Sequence, residues 1–269
     1  MAAKLYVGTC GYSYADWKGT FYPPKIKPAE MLSYYSRHFR AVEVDATYYR
    51  VLGAKTFASM AARTPDGFRF AVKVPGTVTH AAGALTVHPD AAAWLEGVQP
   101  LVERGKFACA LLQFPNGFKP EPRSEQYLRL VADALGSVPL VIEFRNREWQ
   151  TDATLRLLRE LGAGWTNVDE PQFRTLLRPG AEVTSPIAYV RFHGRNYQQW
   201  WSGDNATRYE YLYSAEELGP WTDRIIDLAA DPNVREVYAY FNNHRRGNAA
   251  RNAEQFEELL REKIPEAVV

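Results

Sequence analysis

Short apolar runs alternate with amphipathic stretches along the whole chain. The clearest run lies in residues 138–149, where Val138, Leu140, Val141 and Ile142 lead into Glu143, Arg145, Arg147, Glu148 and Trp149. A β-branched run of this length reads as a strand buried on both faces. Glu143 and Arg145, two residues apart, then point the same way. An unpaired buried charge costs on the order of several kcal/mol, so this strand must end in a polar pocket that other parts of the chain complete. Runs of the same kind occur at residues 5–8, 41–45, 68–74, 108–114, 163–168, 187–193 and 236–242.

Between them the spacing changes to that of helices, at residues 28–39, 55–63, 90–104, 124–135, 151–161, 216–229 and 248–262. Pro28 suits a first helical position, and Ser124 and Thr151 suit N-caps. Strand–helix alternation over about 250 residues predicts an α/β fold, a (β/α)8 barrel with an eight-stranded parallel core and surrounding helices. An open doubly wound sheet would want a glycine-rich turn after the first strand. Gly8-Thr9-Cys10-Gly11 is too short for that fingerprint. Residues 1–269 are expected to form a single domain, with residues 194–215 after the seventh strand as a lid.

The polar residues sharpen this picture, because they gather where strands end. They are Glu43 and Asp45, Lys73, Gln113, Glu143 and Arg145, Asp169, Arg191 and His193, and Asn242 and Asn243. Active sites of such barrels lie at the C-terminal ends of the strands.

Composition adds mostly exclusions. The chain has 269 residues, 46% hydrophobic and 23% charged, with a formal net charge of +1. That gives no global field for nucleic acid or membrane, so any anion site must be local. Cys10 and Cys109 have neither zinc nor disulfide-framework spacing and read as reduced thiols. No basic segment followed by an apolar leader opens the chain, and no run approaches the roughly 20 apolar residues of a membrane span. A cytosolic location is expected. Sixteen Tyr and seven Trp, with Phe, make 13% of the chain aromatic. Several cluster in loops, at Tyr12, Tyr14, Trp17, Phe21 and Tyr22 and again at Tyr197, Trp200, Trp201, Tyr209, Tyr211 and Tyr213. Loop aromatics of this kind favour a binding cleft.

The chain resembles the uncharacterised YecE-like, or DUF72, proteins. The likeness runs through Gly8-Thr9-Cys10-Gly11, Trp17, Phe21-Tyr22-Pro23, Val42-Glu43, Tyr48-Tyr49-Arg50, Phe68-Arg69-Phe70 with Lys73, and Thr79-His80. It continues through Gln113-Phe114-Pro115, Glu143-Phe144-Arg145 with Trp149, Asp169-Glu170-Pro171, Tyr189 to Gly194, and Tyr240-Phe241-Asn242-Asn243. The resemblance implies a TIM-type barrel without a proven biochemical role. It also implies a distant likeness to the endonuclease IV and xylose isomerase-like barrels, which suggests phosphate or nucleic-acid handling. The family usually has serine where this chain has Cys10, which argues against a shared thiol nucleophile.

The residues themselves allow several chemistries. Glu143, His193 and Glu43 are the catalytic candidates: Glu143 as general acid or base, His193 as proton shuttle, and Glu43 as a second carboxylate of a glycosidase pair. Lys73, His80, Gln113, Arg145, Asp169, Arg191, Trp200, Trp201, Asn242 and Asn243 are the binding candidates. Arg145 and Arg191 could clamp a phosphate, and Lys73 could pair with Glu43 or a ligand anion, or act as a Schiff-base amine. Trp200 and Trp201 could stack on bases or sugars. Arg245 and Arg246, before a helix start at Asn248, could add an anion site. The five histidines form no H-x-H or H-E-x-x-H, so no metal is expected, and no motif calls for a cofactor. The leading expectation is a binder of a phosphate-bearing small molecule or single-stranded nucleic acid, with no membrane partner. A sugar or sugar-phosphate hydrolase or isomerase using Glu43 and Glu143, and a non-catalytic scaffold, are the alternatives.

Overall fold

The computed structural model describes residues 3–80 and 86–269. Eight parallel strands close into a barrel in sequence order, β1 (Lys4–Cys10), β2 (Ala41–Val44), β3 (Arg69–Lys73), β4 (Phe107–Gln113), β5 (Leu140–Glu143), β6 (Ala163–Asp169), β7 (Ile187–Phe192) and β8 (Glu236–Phe241). β8 returns to β1 with Gly8 opposite Tyr240, which closes the sheet. The helices are α1 (Pro28–His38), α2 (Ala54–Ala62), α3 (Gly76–Thr79), α4 (Asp90–Glu103), α5 (Pro122–Leu135), α6 (Asp152–Glu160), α7 (Asn205–Arg208), α8 (Ala215–Ala230) and α9 (Asn248–Lys263). The fold is the TIM barrel that the alternation predicts.

Local chemistry accounts for the differences in detail. α5 starts at Pro122 with Glu121 as its cap, and not at Ser124, because proline is pre-set for a first helical position. The Thr151 side chain does cap α6, accepting from the Thr154 amide at 3.2 Å. The short helices α3 and α7 have no apolar periodicity of their own and are not visible in the pattern.

Two cores result. Outward-facing residues such as Val42, Val72, Leu112, Ile142, Val190 and Phe241 pack against the helices. Inside the barrel one wall is bulky and the other small. Tyr6, Tyr189, Tyr238 and Tyr240 from β1, β7 and β8 face Ala41, Ala71 and Cys109 from β2, β3 and β4. Large side chains opposite small ones fill a narrow barrel at crystal-like density. Gly8 is required by that closeness, since a Cβ there would lie 2.2 Å from the Ala41 carbonyl oxygen.

The first aromatic cluster belongs to the core and not to a cleft. Trp17 and Tyr22 are buried, packed with Phe21, Tyr34, Tyr35 and Phe39 against α1. The Trp17 indole donates to the His244 carbonyl at 2.5 Å, tying the β1 exit loop to the β8 exit. Cys10 and Cys109 are free thiols buried in the barrel. Among the described residues no helix is long and apolar enough to cross a membrane.

Candidate functional site

Strand parity decides which polar residues enter the barrel mouth. On β2, β5 and β7 the inward positions are Glu43, Glu143 and Arg191, and these form a closed lower tier. The Arg191 guanidinium donates to both Glu43 oxygens, from Nε at 2.9 Å and from Nη2 at 2.7 Å. Its Nη1 reaches Glu143 Oε2 at 2.5 Å. Tyr189 adds a hydroxyl donor to Glu43 at 2.7 Å, and Arg145 Nε pairs with the other Glu143 oxygen. Burial pushes the Glu143 carboxyl up, but Arg145 and Arg191 outweigh it and hold the group well below the usual carboxylate range.

His193, one residue past the end of β7, is fully buried beside Trp200 and Tyr209. Asn242 donates to its Nδ1 at 3.1 Å, which leaves the proton on Nε2, 3.3 Å from Glu143. Burial, with Arg145 nearby, pushes the imidazole down to about 3, so the ring stays neutral. A buried, neutral ring with Nδ1 held by Asn242 and Nε2 facing Glu143 fits a positioning role for that carboxylate. Burial, reinforced by Glu43, likewise pushes the Cys10 thiol well up, which favours its protonated form.

Above this tier a cavity of about 520 Å³ opens at the C-terminal mouth. Its polar wall holds Asp45, Lys73, Gln113, Arg145, Arg208 and Asn242; its aromatic wall holds Tyr48, Tyr209, Trp200 and Trp201. Lys73 Nζ donates to Gln113 Oε1 at 2.9 Å and sits 4.4 Å from the centre of the Tyr48 ring. It forms no ion pair with a described carboxylate. Burial, assisted by Arg191, lowers its ammonium to about 8. Arg208, on α7, has a buried Nε without a hydrogen-bond partner among the described residues. Asp45 follows β2 and makes no hydrogen bond or ion pair from its carboxylate to a described residue; burial and then Glu43 raise its carboxyl. Glu170 lies behind Arg145, accepts from the Leu177 amide at 3.2 Å, and is pushed by burial up to about 8.

The remaining sequence candidates divide by position. His80 lines the cavity edge, its Nδ1 2.9 Å from the Thr79 hydroxyl, and burial and Lys73 push it down to about 4. Trp200 is buried and Trp201 is 55% exposed at the rim, packed on Phe173. Asp169 and Asn243 are not in the mouth. Each is one residue out of phase with an inward neighbour, Glu170 and Asn242, and so faces outside the barrel. Asp169 accepts from Arg195 at 2.8 and 2.7 Å, from Tyr213 at 2.8 Å and from the Trp221 indole at 2.6 Å. Asn243 binds the Tyr211 carbonyl and Asn252. Both fasten the segment after β7 to α8 and α9.

The arginine pair after β8 is also occupied. Arg245 and Arg246 both reach Glu210, at 3.3 and 3.4 Å, and the Arg246 amide donates to Asp16 at 2.7 Å. The chain's own carboxylates thus already engage the arginine pair expected to bind an anion. Lys73 pairs with neither Glu43 nor any other described acid. The sequence pattern did not single out Tyr48, Asn116, Arg208 or His244 as binding residues, although all line the cavity, as does Tyr209 from the second group of loop aromatics. Only the parity of Asp45 with Glu43 pointed to the free carboxylate. Among the described residues no group of three or more His, Cys, Asp or Glu could hold a metal ion.

Comparison with known proteins agrees with this architecture. The family described as "Protein of unknown function DUF72" matches residues 6–268. The UPF0759 protein YunF of Bacillus subtilis is 32% identical over 274 residues, covering 95% of this chain and 94% of that protein. A crystal structure of a DUF72 family protein from Thermotoga maritima is 36% identical with a TM-score of 0.87, covering 96% of this chain and 99% of that one. Another from Enterococcus faecalis is 27% identical with a TM-score of 0.83, covering 95% of each chain.

Proposed function

The chain belongs to the DUF72 family, whose function is unknown, and we propose from its own geometry that the barrel mouth binds a small phosphate-bearing ligand. The observation that carries this reading is a pair of cavity-facing cations, Lys73 and Arg208, that no described carboxylate neutralises. Glu43 and Glu143 are committed to Arg191 and Arg145, and Asp45, which lines the same cavity, makes no ion pair with Lys73 or Arg208. A buried guanidinium nitrogen without a partner costs free energy that an anion would recover, and a phosphate oxygen suits that fork. The cavity has small-molecule size, and aromatic walls beside point charges are the usual lining of such sites.

A single-stranded nucleic acid would fit only through a terminal or extruded nucleotide, because the opening is a pocket and not a groove. The sugar-hydrolase reading is weaker. Its two carboxylates share one arginine, and neither lines the cavity.

Calorimetric titration with inorganic phosphate, pyrophosphate, sugar phosphates, nucleotides and a short single-stranded oligonucleotide tests the proposal. At least one phosphate compound should bind at low ionic strength. Arg208→Ala should weaken it about tenfold or more, as expected for one charge-assisted contact. No binding by any of these, or affinity unchanged in Arg208→Ala, would sink it.

A further inference from the structure

Two lysines, the buried Lys106 and the half-buried Lys73, are held in opposite ways. Lys106 Nζ donates three hydrogen bonds, to the Ala61 carbonyl at 2.8 Å, the Thr64 carbonyl at 2.7 Å and the Thr64 hydroxyl at 3.1 Å. Three donors require an ammonium, so Lys106 is a charged structural tie. Lys73 donates one hydrogen bond, to a neutral amide oxygen, and otherwise meets a ring face and the cavity. Such a setting can hold a neutral amine with its lone pair toward the cavity. The arrangement is unusual for a lysine kept for its charge, since Glu43 and Glu143 are engaged by arginines and Asp45, which lines the same cavity, makes no ion pair with it.

We propose that Lys73 is a nucleophilic amine that condenses with the carbonyl of a phosphorylated aldehyde or ketone to form an imine. The substrate class rests on the phosphate reading above; the amine chemistry does not. The Nζ lone pair attacks the carbonyl carbon, and the C=O electrons move to oxygen. Nitrogen passes one proton to the carboxylate of Asp45, which lines the same cavity and is coupled electrostatically to Lys73, and Asp45 hands it to the alkoxide oxygen to give the neutral carbinolamine. The second amine proton follows the same route to the hydroxyl, which leaves as water while the nitrogen lone pair forms the C=N bond. Carbon and nitrogen are then doubly bonded, and no oxidant or reductant is consumed. Burial and the Arg191 and Arg145 guanidinium groups disfavour the ammonium, which raises the fraction of reactive amine near neutral pH. Arg208, which lines the same cavity, would hold the phosphate.

Borohydride trapping decides the matter. The full-length protein at pH near 8 is incubated with pyridoxal 5′-phosphate or with pyridoxal, reduced, digested and mapped by mass spectrometry. The expected result is one dominant label, on Lys73, with Lys106 unlabelled. Lys73→Met should abolish that label while the melting temperature is retained, and Arg208→Ala should slow labelling by the phosphorylated probe about tenfold and leave pyridoxal unaffected. Label spread over surface lysines and unchanged in Lys73→Met would overturn the amine role, even if pyrophosphate still binds by calorimetry. Lys73 labelled equally well by both probes, with no pyrophosphate binding, would overturn the phosphorylated class and with it the phosphate reading, while leaving the amine.

Discussion

The two tiers of charge at the barrel mouth are built from neighbouring strand ends and behave as opposites. In the lower tier Glu43, Glu143, Arg145 and Arg191 satisfy one another, and His193 and Tyr189 complete the set. In the upper tier Lys73, Arg208 and Asp45 face a cavity without mutual ion pairs. A satisfied buried network specifies a structure, whereas groups left unpaired beside a cavity cost stability and are candidates for a ligand. Charge at a barrel mouth is therefore not one kind of signal. The lower tier reads as the floor of a site, and the upper tier as its working surface.

Substitutions should separate the two tiers by the sign and size of their effects. Arg191→Met strands two buried carboxylates and should cost roughly 3–5 kcal/mol in urea unfolding; a loss below about 1 kcal/mol would erase the distinction. Glu170→Gln probes the edge of the lower tier through pH. The native carboxyl binds its proton up to about 8, against an ordinary value of 4.5. Its contribution is fully present below 4.5 and lost as pH rises through about 8. Relative to wild type, the amide variant should therefore gain on the order of 2 kcal/mol between pH 5 and pH 9, read as melting temperature against pH.

Lys73→Met should do the reverse of a lower-tier change. The native ammonium titrates near 8 against 10.5 unfolded, so the native state binds fewer protons in that window. Stability is lost as pH falls from 10.5 toward 8 and stays at the lower level below it. Removing the amine should thus stabilise the protein at pH 7 by about 1 kcal/mol. The smallest effect is expected for Arg208→Ala, within about 0.5 kcal/mol in unfolding even where ligand affinity falls.

Much of this was legible in the chain because it depends on local periodicity. Strand and helix patterns indicated the barrel, and a two-residue spacing placed Glu43 with Asp45, Glu143 with Arg145 and Arg191 with His193 on common faces. The same rule, applied without knowing where each strand's inward phase continued past its end, put Asp169 and Asn243 on the wrong side. Arg245 and Arg246 look like an anion site in sequence, and Arg208 looks like nothing in particular. In space the first two share Glu210 and the third has an unpaired Nε over the cavity.

The amino-acid order by itself determined the eightfold alternation, the family and the inventory of charges at strand ends, because these follow from hydrophobic period and residue identity. Only the closed barrel decided which charges are mutually satisfied. Pairing across a barrel joins residues far apart in the chain, as with Glu43 and Arg191 or Glu143 and Arg191. Lys73 was as conspicuous in the sequence as Arg191. Its lack of an ion pair became visible once three-dimensional closure had assigned Glu43 and Glu143 to arginines.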